Sequence, residues 1–356
     1  MRRTRVAVVG CGHLGSIHAR LLAARADAEL VAVVDTDGAA RERVAAAHGC
    51  RALAEPAALV GLADAAVIAA PTPLHAGVAI PLLEAGVDLL VEKPLAAATE
   101  DARALVIAAR RHGRVVAVGH VERFNPAWEA AVARAGRPRT VVAERCAPFS
   151  FRSLDVGVVH DLMIHDIDLV LSLEPGRLER VEARGLAATG GFEDLVRARL
   201  TFSSGLVAEL VASRISPVTS RRVTLLSATA IVTADLHAKA LEVITASDAV
   251  RAGGYVAARV PPAERTAARE RFFSDVLPRE TVQVADANAI EREHDDLLAA
   301  IRTGASPRVT ASAGAAAVEI AAQVIDGLEQ CRFGSDQPVQ PPTAATIPLL
   351  PRRKTG

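Results

Sequence analysis

The sequence predicts an α/β protein in which a doubly wound parallel sheet is followed by an α+β domain built on an open, mainly antiparallel sheet. Three observations carry this prediction. Short β-branched runs alternate with Ala-rich stretches from residue 5 to about 120, which is typical of βαβ units. The first run leads directly into the glycine-rich turn GCGHLG. After residue 120, apolar and polar residues alternate without interleaved helices, which indicates antiparallel strands.

Length and composition limit the classes of protein to consider. A chain of 356 residues fits two domains, each with its own core. With 51% hydrophobic and 23% charged residues, it buries enough apolar surface to order most of its length. Its 41 basic and 41 acidic residues cancel, so we expect neither nucleic acid nor an anionic membrane as its main partner.

The N-terminus and the cysteines indicate the compartment. No run of 18 apolar residues exists, and MRRTRVAVVG enters a strand-like segment directly. We therefore expect no membrane partner and a cytoplasmic protein. The four cysteines form no CxxC pair, so we expect reduced thiols without a zinc site or a disulfide framework: they are Cys11, Cys50, Cys146 and Cys331.

The first predicted domain spans residues 1–122. Its strand candidates are continuous apolar runs, as expected for parallel strands that are covered on both faces: 5–9, 30–34, 65–69, 87–91 and 115–119. The helices between them are predicted to begin near residues 13, 38, 74 and 99.

The second predicted domain spans residues 123–335. A helix is expected near Asn125 with Pro126 in its first turn, and the later elements follow from their periodicity: a helix at 157–173, antiparallel strands within 178–260, and helices at 288–301 and 312–330. An open sheet of this kind is commonly covered by a second copy, so we expect a homodimer or homotetramer formed through it. Residues 336–356 are Pro-rich and predict an extended tail.

The turn after the first strand has the spacing of a dinucleotide-binding site. Gly10 is placed for a tight turn, Gly12 for close approach to a pyrophosphate and Gly15 for packing of helix on strand. His13 and Leu14 lie in the same turn, where a helix N-terminus offers N–H donors to an anion. A glycine turn in an α/β domain that binds no nucleotide is the alternative.

Asp35 strengthens the nucleotide interpretation. It ends the second strand 20 residues after Gly15, where a carboxylate accepts hydrogen bonds from the adenosine ribose. A carboxylate there repels a 2′-phosphate, and residues 36–38 include no arginine, so NAD is favoured over NADP. The loop PTPLH follows a later strand, and we expect Thr72, Pro73 and His75 to line the cofactor, although His75 is equally suited to cap or to pack.

The next strand ends in Glu92, Lys93 and Pro94. The carboxyl end of a parallel strand points to the ligand crevice, so Glu92 and Lys93 are placed to contact the cofactor. The ammonium of Lys93 could also polarise a hydroxyl or stabilise an alkoxide. A surface lysine without a catalytic role is the alternative.

The predicted helix at 157–173 carries one polar stripe. Asp161, His165 and Asp168 follow i, i+4, i+7 spacing on an otherwise apolar helix. A buried polar stripe needs partners or a ligand, and His165, oriented by Asp161, suits a general base. A structural Asp/His network is the alternative. We expect no metal, because no other cluster completes a ligand shell.

Two segments near the domain junction supply candidate substrate contacts. GHVERFNPAW contains His120, Glu122, Arg123 and Asn125, and Arg123 suits a phosphate or carboxylate. Arg152 precedes the polar helix and is a weaker candidate. Each of these side chains could instead form an interdomain hydrogen bond.

These motifs together resemble the Gfo/Idh/MocA oxidoreductases. The resemblance rests on GxGxxG at 10–15, Asp35, EKP at 92–94, DxxxH from Asp161 to His165, and EREHDDLLAAIRTGASPRVT at 291–310. It implies a Rossmann domain, an α+β domain that forms oligomers, and oxidation of a sugar or cyclitol hydroxyl by NAD(P). Members differ on whether the lysine or the histidine accepts the proton.

GHVERFNPAW and FRSLDVGVVHDLMIHDIDLV resemble members that oxidise the 3-hydroxyl of UDP-N-acetylglucosamine and so feed 3-amino sugar synthesis for lipid A. The resemblance implies that His165 removes the hydroxyl proton, Lys93 stabilises the alkoxide, and NAD takes the hydride. Dehydrogenases of inositol, hexose or UDP-N-acetylglucosaminuronate are the nearest alternatives. A non-catalytic nucleotide-binding regulator is a further one.

Overall fold

The computed structural model describes residues 2–332 apart from 152, 155 and 190, together with the backbone of 335–338. The predicted substrate contact Arg152 and most of the predicted tail at 336–356 lie outside the described residues.

The first domain is built on a parallel sheet, as the sequence predicts, with six strands in place of the five expected. Its strands lie in the order β3-β2-β1-β4-β5-β6, which is the arrangement of a doubly wound dinucleotide-binding fold. Their bounds are β1 (Thr4–Val9), β2 (Ala28–Val34), β3 (Arg51–Leu53), β4 (Ala65–Ile68), β5 (Asp88–Glu92) and β6 (Val116–Gly119). The three-residue β3 has too little periodicity to be predicted from the sequence.

Helices cover both faces of this sheet. Along β1, Val6 and Val8 pack into one core cluster, while Ala7 and Val9 pack into another. Alternation of the side chains between the two faces explains why the strand is apolar throughout. The helices are α1 (His13–Ala23), α2 (Gly38–His48), α3 (His75–Glu84) and α4 (Thr99–His112).

The second domain combines helices with a large mixed sheet. Its first elements are α5 (Pro126–Ala135), β7 (Pro138–Cys146), a π-helical turn at Val159–Met163 and α6 (Ile164–Leu171). The strands continue with β8 (Leu178–Ala187), β9 (Leu195–Phe202), β10 (Val207–Ser213), β11 (Ser220–Ser227), β12 (Ala230–Asp235) and β13 (Ala240–Thr245). The last elements are α7 (Asp248–Arg251), α8 (Arg265–Glu270), β14 (Arg279–Gln283), α9 (Ala289–Thr303), α10 (Ala311–Asp326), β15 (Leu328–Arg332) and β16 (Ser335–Pro338).

The second sheet is mostly antiparallel, in agreement with the predicted fold class. Its order is β14-β13-β12-β11-β7-β10-β9-β8-β15-β16, and the pairs β7–β10 and β8–β15 are parallel. Along β7, Val141 and Ala143 are buried, whereas Val142 and Glu144 are exposed. One face of the sheet therefore packs on the core and the other is open within a single chain.

The last two long helices return to the first domain. Leu297 and Leu298 of α9 share a core cluster with Val6 and Val8 of β1, and α10 packs against α4. Residues assigned by sequence to the second domain thus complete the core of the first. Within the described residues, every helix is too short or too polar to cross a membrane.

Two predicted helices differ from the observed elements. The helix predicted at 157–173 begins instead with the π-helical turn, whose wide hydrogen bond joins the N–H of Ile164 to the carbonyl oxygen of Val159. The helix predicted at 312–330 ends at Asp326. Gly327 follows, and β15 then buries Leu328 and Gln330 while Glu329 between them is exposed, because successive side chains of a strand point to opposite faces.

Candidate active site

A surface cavity of about 440 Å³ lies at the start of α1 and is lined by Gly12, His13 and Ser16, among other residues. Gly10 has a φ of +98°, which favours glycine. A Cβ on Gly15 would lie 1.7 Å from the carbonyl oxygen of Gly10, whereas a Cβ on Gly12 would meet nothing within 4 Å. Gly15 therefore serves packing, and Gly12 leaves space beside free N–H groups, which fits a dinucleotide pyrophosphate.

Asp35 lies beside this cavity, at the end of β2. Its carboxylate accepts hydrogen bonds from the backbone N–H groups of Cys11 at 2.7 Å and of Asp37 at 2.9 Å. The guanidinium of Arg41 donates to the carbonyl oxygen of Asp35 at 3.1 Å. The sequence placed Asp35 correctly relative to the turn but gave no sign of Arg41, which approaches from α2.

The other predicted cofactor residues divide into exposed and buried groups. His13, Leu14 and Pro73 are exposed, and Thr72 is half-buried. His75 is buried, and its two ring nitrogens contact the carbonyl oxygens of Pro94 and Ala70, each at 2.9 Å. The ring of His75 thus joins two loops at the sheet edge, which is the packing alternative considered for it.

Lys93 leaves the end of β5 and reaches the second domain. Its ammonium donates to the carbonyl oxygen of Asp161 at 2.7 Å and lies 3.4 Å from the Asp161 carboxylate. Asp161 belongs to the π-helical turn, a geometry that is frequent at functional sites. Among the described hydrogen bonds, Asp161 pairs with Lys93 and not with His165, so the predicted orientation of His165 by Asp161 is not observed.

Three buried histidines that are affected by the charge of Lys93 have unpartnered ring nitrogens among the described residues. Both ring nitrogens of His120, Nδ1 of His165 and Nε2 of His160 are buried without a hydrogen-bond partner among the described residues. The rings of His120 and His165 lie edge to face, with centroids 6.3 Å apart. Buried nitrogens that lack a protein partner are expected to meet a ligand or water. His160 was missed because it lies off the predicted stripe.

Burial and the nearby positive charge keep these histidines neutral. Burial, followed by the charge of Lys93, lowers the pKa of His165 well below its ordinary value. The same two causes lower the pKa of His160 to about 4, and burial lowers the pKa of His120. A neutral imidazole can accept a proton, so the site contains a base beside a cation.

Asp168 and Arg123 form the far side of this group. The Arg123 guanidinium lies 3.4 Å from one carboxylate oxygen of Asp168, and the second oxygen is buried without a partner in the described part of the chain. Burial raises the pKa of Asp168, and the neighbouring His120 and Arg123 oppose that rise. Arg123 is therefore already engaged by a carboxylate, and only part of its fork is free for an anionic ligand.

Glu122 and Asn125, two predicted substrate contacts, are used by the protein itself. Glu122 is buried and accepts from Arg145 at 2.8 Å and from Asn125 at 2.9 Å. Asn125 caps α5 and also donates to the carbonyl oxygen of Leu236. Arg145 bridges Glu122 to Asp166 on α6. These side chains form the interdomain alternative considered for them, and they fix α6 beside the junction.

The start of the π-helical turn is held by groups that the sequence did not reveal. Glu193 accepts from the N–H of Val159 at 3.1 Å, and a Cβ on Gly157 would lie within 2.1 Å of its carboxylate. Arg214 pairs with Asp194 and donates to the carbonyl oxygen of Val156. Glu193 and Asp194 immediately precede β9, and Arg214 immediately follows β10. All three are remote in sequence from the helix, so no local pattern links them to it.

Behind the lysine lies a buried cluster that has the donor types of a metal site. Ligand atoms of His18, Glu92 and Glu293 all lie within 4.8 Å of one another. His18, however, is 2.8 Å from both Glu92 and His294. Two ligands of a tetrahedral zinc are separated by roughly 3.3 Å, given bonds of about 2.0–2.1 Å. The separations observed here are those of hydrogen bonds.

Comparison with known proteins identifies the family. The description "Oxidoreductase family, NAD-binding Rossmann fold" matches residues 4–120, and the GFO/IDH/MocA C-terminal domain matches residues 107–233. A UDP-N-acetylglucosamine 3-dehydrogenase of Acidithiobacillus ferrooxidans is 42% identical over 62% of this chain and 71% of its own length. A myo-inositol dehydrogenase of Streptomyces leeuwenhoekii is 36% identical over 60% of this chain and 70% of its own length.

Solved structures agree with this result. A crystal form of the Acidithiobacillus ferrooxidans UDP-N-acetylglucosamine 3-dehydrogenase superimposes with a TM-score of 0.80 at 33% identity. The match covers 92% of this chain and 98% of that structure.

Proposed function

The chain belongs to the Gfo/Idh/MocA oxidoreductase family, and we propose that within it the protein oxidises the 3-hydroxyl of UDP-N-acetylglucosamine to a UDP-3-keto sugar. Its first domain is the NAD-binding Rossmann domain of that family, and its relatives are dehydrogenases of sugar-like alcohols. One observation carries the proposed chemistry. The Lys93 ammonium, held by Asp161, acts electrostatically on histidines whose buried nitrogens have no partner among the described residues.

Lys93 and His165 divide the proton and charge chemistry. We assign the neutral imidazole of His165 as the base that removes the proton of the reacting hydroxyl. The Lys93 ammonium stabilises the developing alkoxide. Asp161 positions Lys93 through its carbonyl oxygen and carboxylate, which replaces the role that the sequence indicated for it. The alternative, in which Lys93 itself accepts the proton, predicts different pH behaviour.

The cofactor side of the proposal uses Gly12, the N-terminus of α1 and Asp35. The open space at Gly12 and the first N–H groups of α1 would hold the pyrophosphate of NAD, and Asp35 would bind the adenosine ribose. When bound, NAD supplies the acceptor for the hydride. His13 lines the same cavity, and we expect Leu14, Thr72 and Pro73 to line the approach to these groups.

The substrate side rests on His120, His160 and Arg123. The unpartnered nitrogens of the two histidines would meet hydroxyl or amide groups of the sugar, since each buried polar atom gains from a partner. The free part of the Arg123 fork would meet the diphosphate. A 3-keto product of this kind would feed an aminotransferase that makes a 3-amino sugar of the lipid A type.

Absorbance at 340 nm tests the proposal. Purified protein and NAD are incubated with UDP-N-acetylglucosamine, UDP-N-acetylglucosaminuronate or myo-inositol, with an aminotransferase or a ketone trap to remove product. We expect NADH to form only with UDP-N-acetylglucosamine. NADH formed with inositol or with the uronate would contradict the assigned substrate but support a dehydrogenase reaction. Absence of NADH with all three compounds would contradict the proposed function.

We also propose that the open face of the second sheet joins two copies of the chain. Val142 of β7 and Ile231 of β12 are exposed there, although large apolar side chains on a sheet are usually covered. Light scattering should give a dimer or tetramer, and Val142→Glu should shift it toward the monomer. A monomeric mass for the native protein would contradict this assembly.

A further inference from the structure

A buried hydrogen-bonded chain connects the cofactor helix to the catalytic lysine. His18 lies in α1 and is fully buried. Its Nε2 contacts the Glu92 carboxylate at 2.8 Å, and the other oxygen of Glu92 accepts from the backbone N–H of Lys93 at 3.1 Å. Neither His18 nor this connection is part of the reaction assigned above.

On the other side of His18, the hydrogen-bonded chain ends at α9. Nδ1 of His18 lies 2.8 Å from Nε2 of His294, which is also fully buried. Burial and the neighbouring His18 lower the pKa of His294 to about 3, so His294 is neutral. Its ring fixes the second edge of His18, and His18 therefore has one orientation, with Nε2 toward Glu92.

Glu293 makes Glu92 the single charged carboxylate of the cluster. Both carboxyl oxygens of Glu293 are buried without a described partner. Burial and the charge of Glu92 raise the pKa of Glu293 well above its ordinary value. Burial raises the pKa of Glu92, but its contacts with His18 and Lys93 together outweigh burial, and the pKa is lowered. A neutral Glu293 and an ionised Glu92 leave His18 as the polar partner of the charge.

From these contacts we infer that His18 is a positioning residue that couples occupation of the pyrophosphate site to the orientation of Lys93. The N-terminus of α1 holds the pyrophosphate, and His18 lies in the next turns of the same rigid helix. A small shift of α1 on binding moves His18, and Glu92 transmits the movement to the backbone of Lys93. This inference rests on the proposed NAD-dependent reaction.

The three lysines of the chain, Lys93, Lys239 and Lys354, allow a direct test that needs no substrate. Reductive methylation with ¹³C-formaldehyde gives each lysine a dimethylammonium NMR signal, and Lys93→Arg identifies the one from Lys93. ADP is the probe, because it carries the adenosine and pyrophosphate but lacks the nicotinamide that would approach Lys93 directly. We expect ADP to shift the Lys93 signal and to leave the Lys239 and Lys354 signals unchanged.

His18→Asn should separate binding from coupling. We expect the ADP affinity to stay within about threefold of native and the ADP-induced shift of the Lys93 signal to disappear. We expect kcat to fall by about 10- to 100-fold, because misplacing a catalytic group by about 1 Å costs this much. KM for NAD should be nearly unchanged. The exposed His237→Asn is the matched control and should retain the full shift. If His18→Asn does not fold, Glu92→Gln tests the same connection, since it retains the shape but lacks the charge.

The possible outcomes distinguish this inference from the proposed function. ADP that binds without moving the Lys93 signal in the native protein, or that moves it equally in His18→Asn, would overturn the coupling and leave the dehydrogenase assignment intact. Absence of both ADP and NAD binding would contradict the cofactor assignment and the coupling together. One equivalent of a divalent metal per purified protein, lost in His18→Asn, would show that the cluster is a metal site and would overturn the hydrogen-bonded connection.

Discussion

The ammonium of Lys93, which comes from the first domain, lies 2.7 Å from the carbonyl oxygen of Asp161 in the second domain. The contact crosses the junction between the two domains. Lys93 is thereby held by a backbone atom of a π-helical turn and by the Asp161 carboxylate at 3.4 Å. An ammonium held by two oxygens of one residue is preorganised for charge stabilisation, which is the arrangement that electrostatic catalysis requires.

Replacing this lysine should greatly lower turnover and spare cofactor binding. Lys93→Ala removes the charge that we assign to the alkoxide, so kcat should fall by about 100-fold or more, as for loss of one transition-state donor. NAD affinity, measured by calorimetry, should change by less than about threefold, because the pyrophosphate and ribose contacts remain.

Lys239→Ala provides the control for loss of a lysine. Lys239 is paired with Asp286 in the second domain, and this variant should retain native kcat. Native turnover in Lys93→Ala would rule out the assigned role of Lys93.

The neutral state of His165 makes a prediction about pH. Its pKa is lowered by burial and by Lys93, so the folded protein keeps the imidazole unprotonated below the ordinary value of about 6.5. kcat, measured from pH 4.5 to 9 with saturating substrate, should therefore stay level through 6.5 and decline only at lower pH. His165→Asn should remove this acidic limb and lower kcat by about 100- to 10,000-fold.

His112→Asn, near the end of α4 and remote from the site, should keep the native pH profile. An acidic limb of the native enzyme centred at or above pH 6.5 would contradict a depressed pKa for the base, and a limb that persists in His165→Asn would assign it to another group.

The lowered pKa values of the buried histidines also predict how the free energy of unfolding depends on pH. The unfolded chain takes up protons at His160, His165 and His294 near pH 6.5, whereas the folded chain resists protonation until lower pH. Stability linked to these groups is therefore complete above about pH 6.5 and is lost as the pH falls below it.

Two glycines of the turn should respond differently to alanine. Gly15→Ala places a Cβ 1.7 Å from the Gly10 carbonyl oxygen, so the turn must shift and the melting temperature should fall. Gly12→Ala meets no protein atom within 4 Å, so its melting temperature should remain native. The added methyl group would instead occupy the space reserved for the pyrophosphate, and NAD affinity should fall by about tenfold or more.

The comparison uses calorimetry for NAD and thermal unfolding for both variants. Native NAD affinity in a stable Gly12→Ala protein would show that the pyrophosphate does not approach this glycine.

The sequence predicted those site residues that belong to local patterns. The spacing of Gly10, Gly12 and Gly15 and the strand-ending Lys93 follow from one helix or strand at a time, and each is found where the pattern predicted. Asp161 and His165 were also located on one helix, but their partners were not predictable, because the π-helical turn and the contact to Lys93 depend on packing between domains.

For Glu122 and Asn125, the residue type alone was a misleading guide to function. Their residue types suit ligand binding, yet both side chains are used by Arg145, by a helix cap and by Leu236. His18 and His294 are 276 residues apart in sequence, and only the return of α9 to the first domain brings them together. Long-range contacts of this kind leave no periodic signal.

The buried Arg145 should be essential for folding stability. Its guanidinium contacts Asp166 and Glu122, each at 2.8 Å, and all three side chains are buried. Arg145→Met retains much of the volume but leaves two buried carboxylates without their cation, so the free energy of unfolding at pH 7 should fall by about 3–5 kcal/mol. Arg222→Met, at an exposed position of β11, should change the free energy of unfolding by less than about 0.5 kcal/mol.

The loss of stability in Arg145→Met should shrink as the pH is lowered toward 5. Buried carboxylates without their cation have raised pKa values and take up protons more readily than they do in the unfolded chain. Urea unfolding at both pH values measures this difference. A deficit independent of pH would indicate lost packing as the cause, and a loss below 1 kcal/mol would contradict the role of Arg145 as the cation of this cluster.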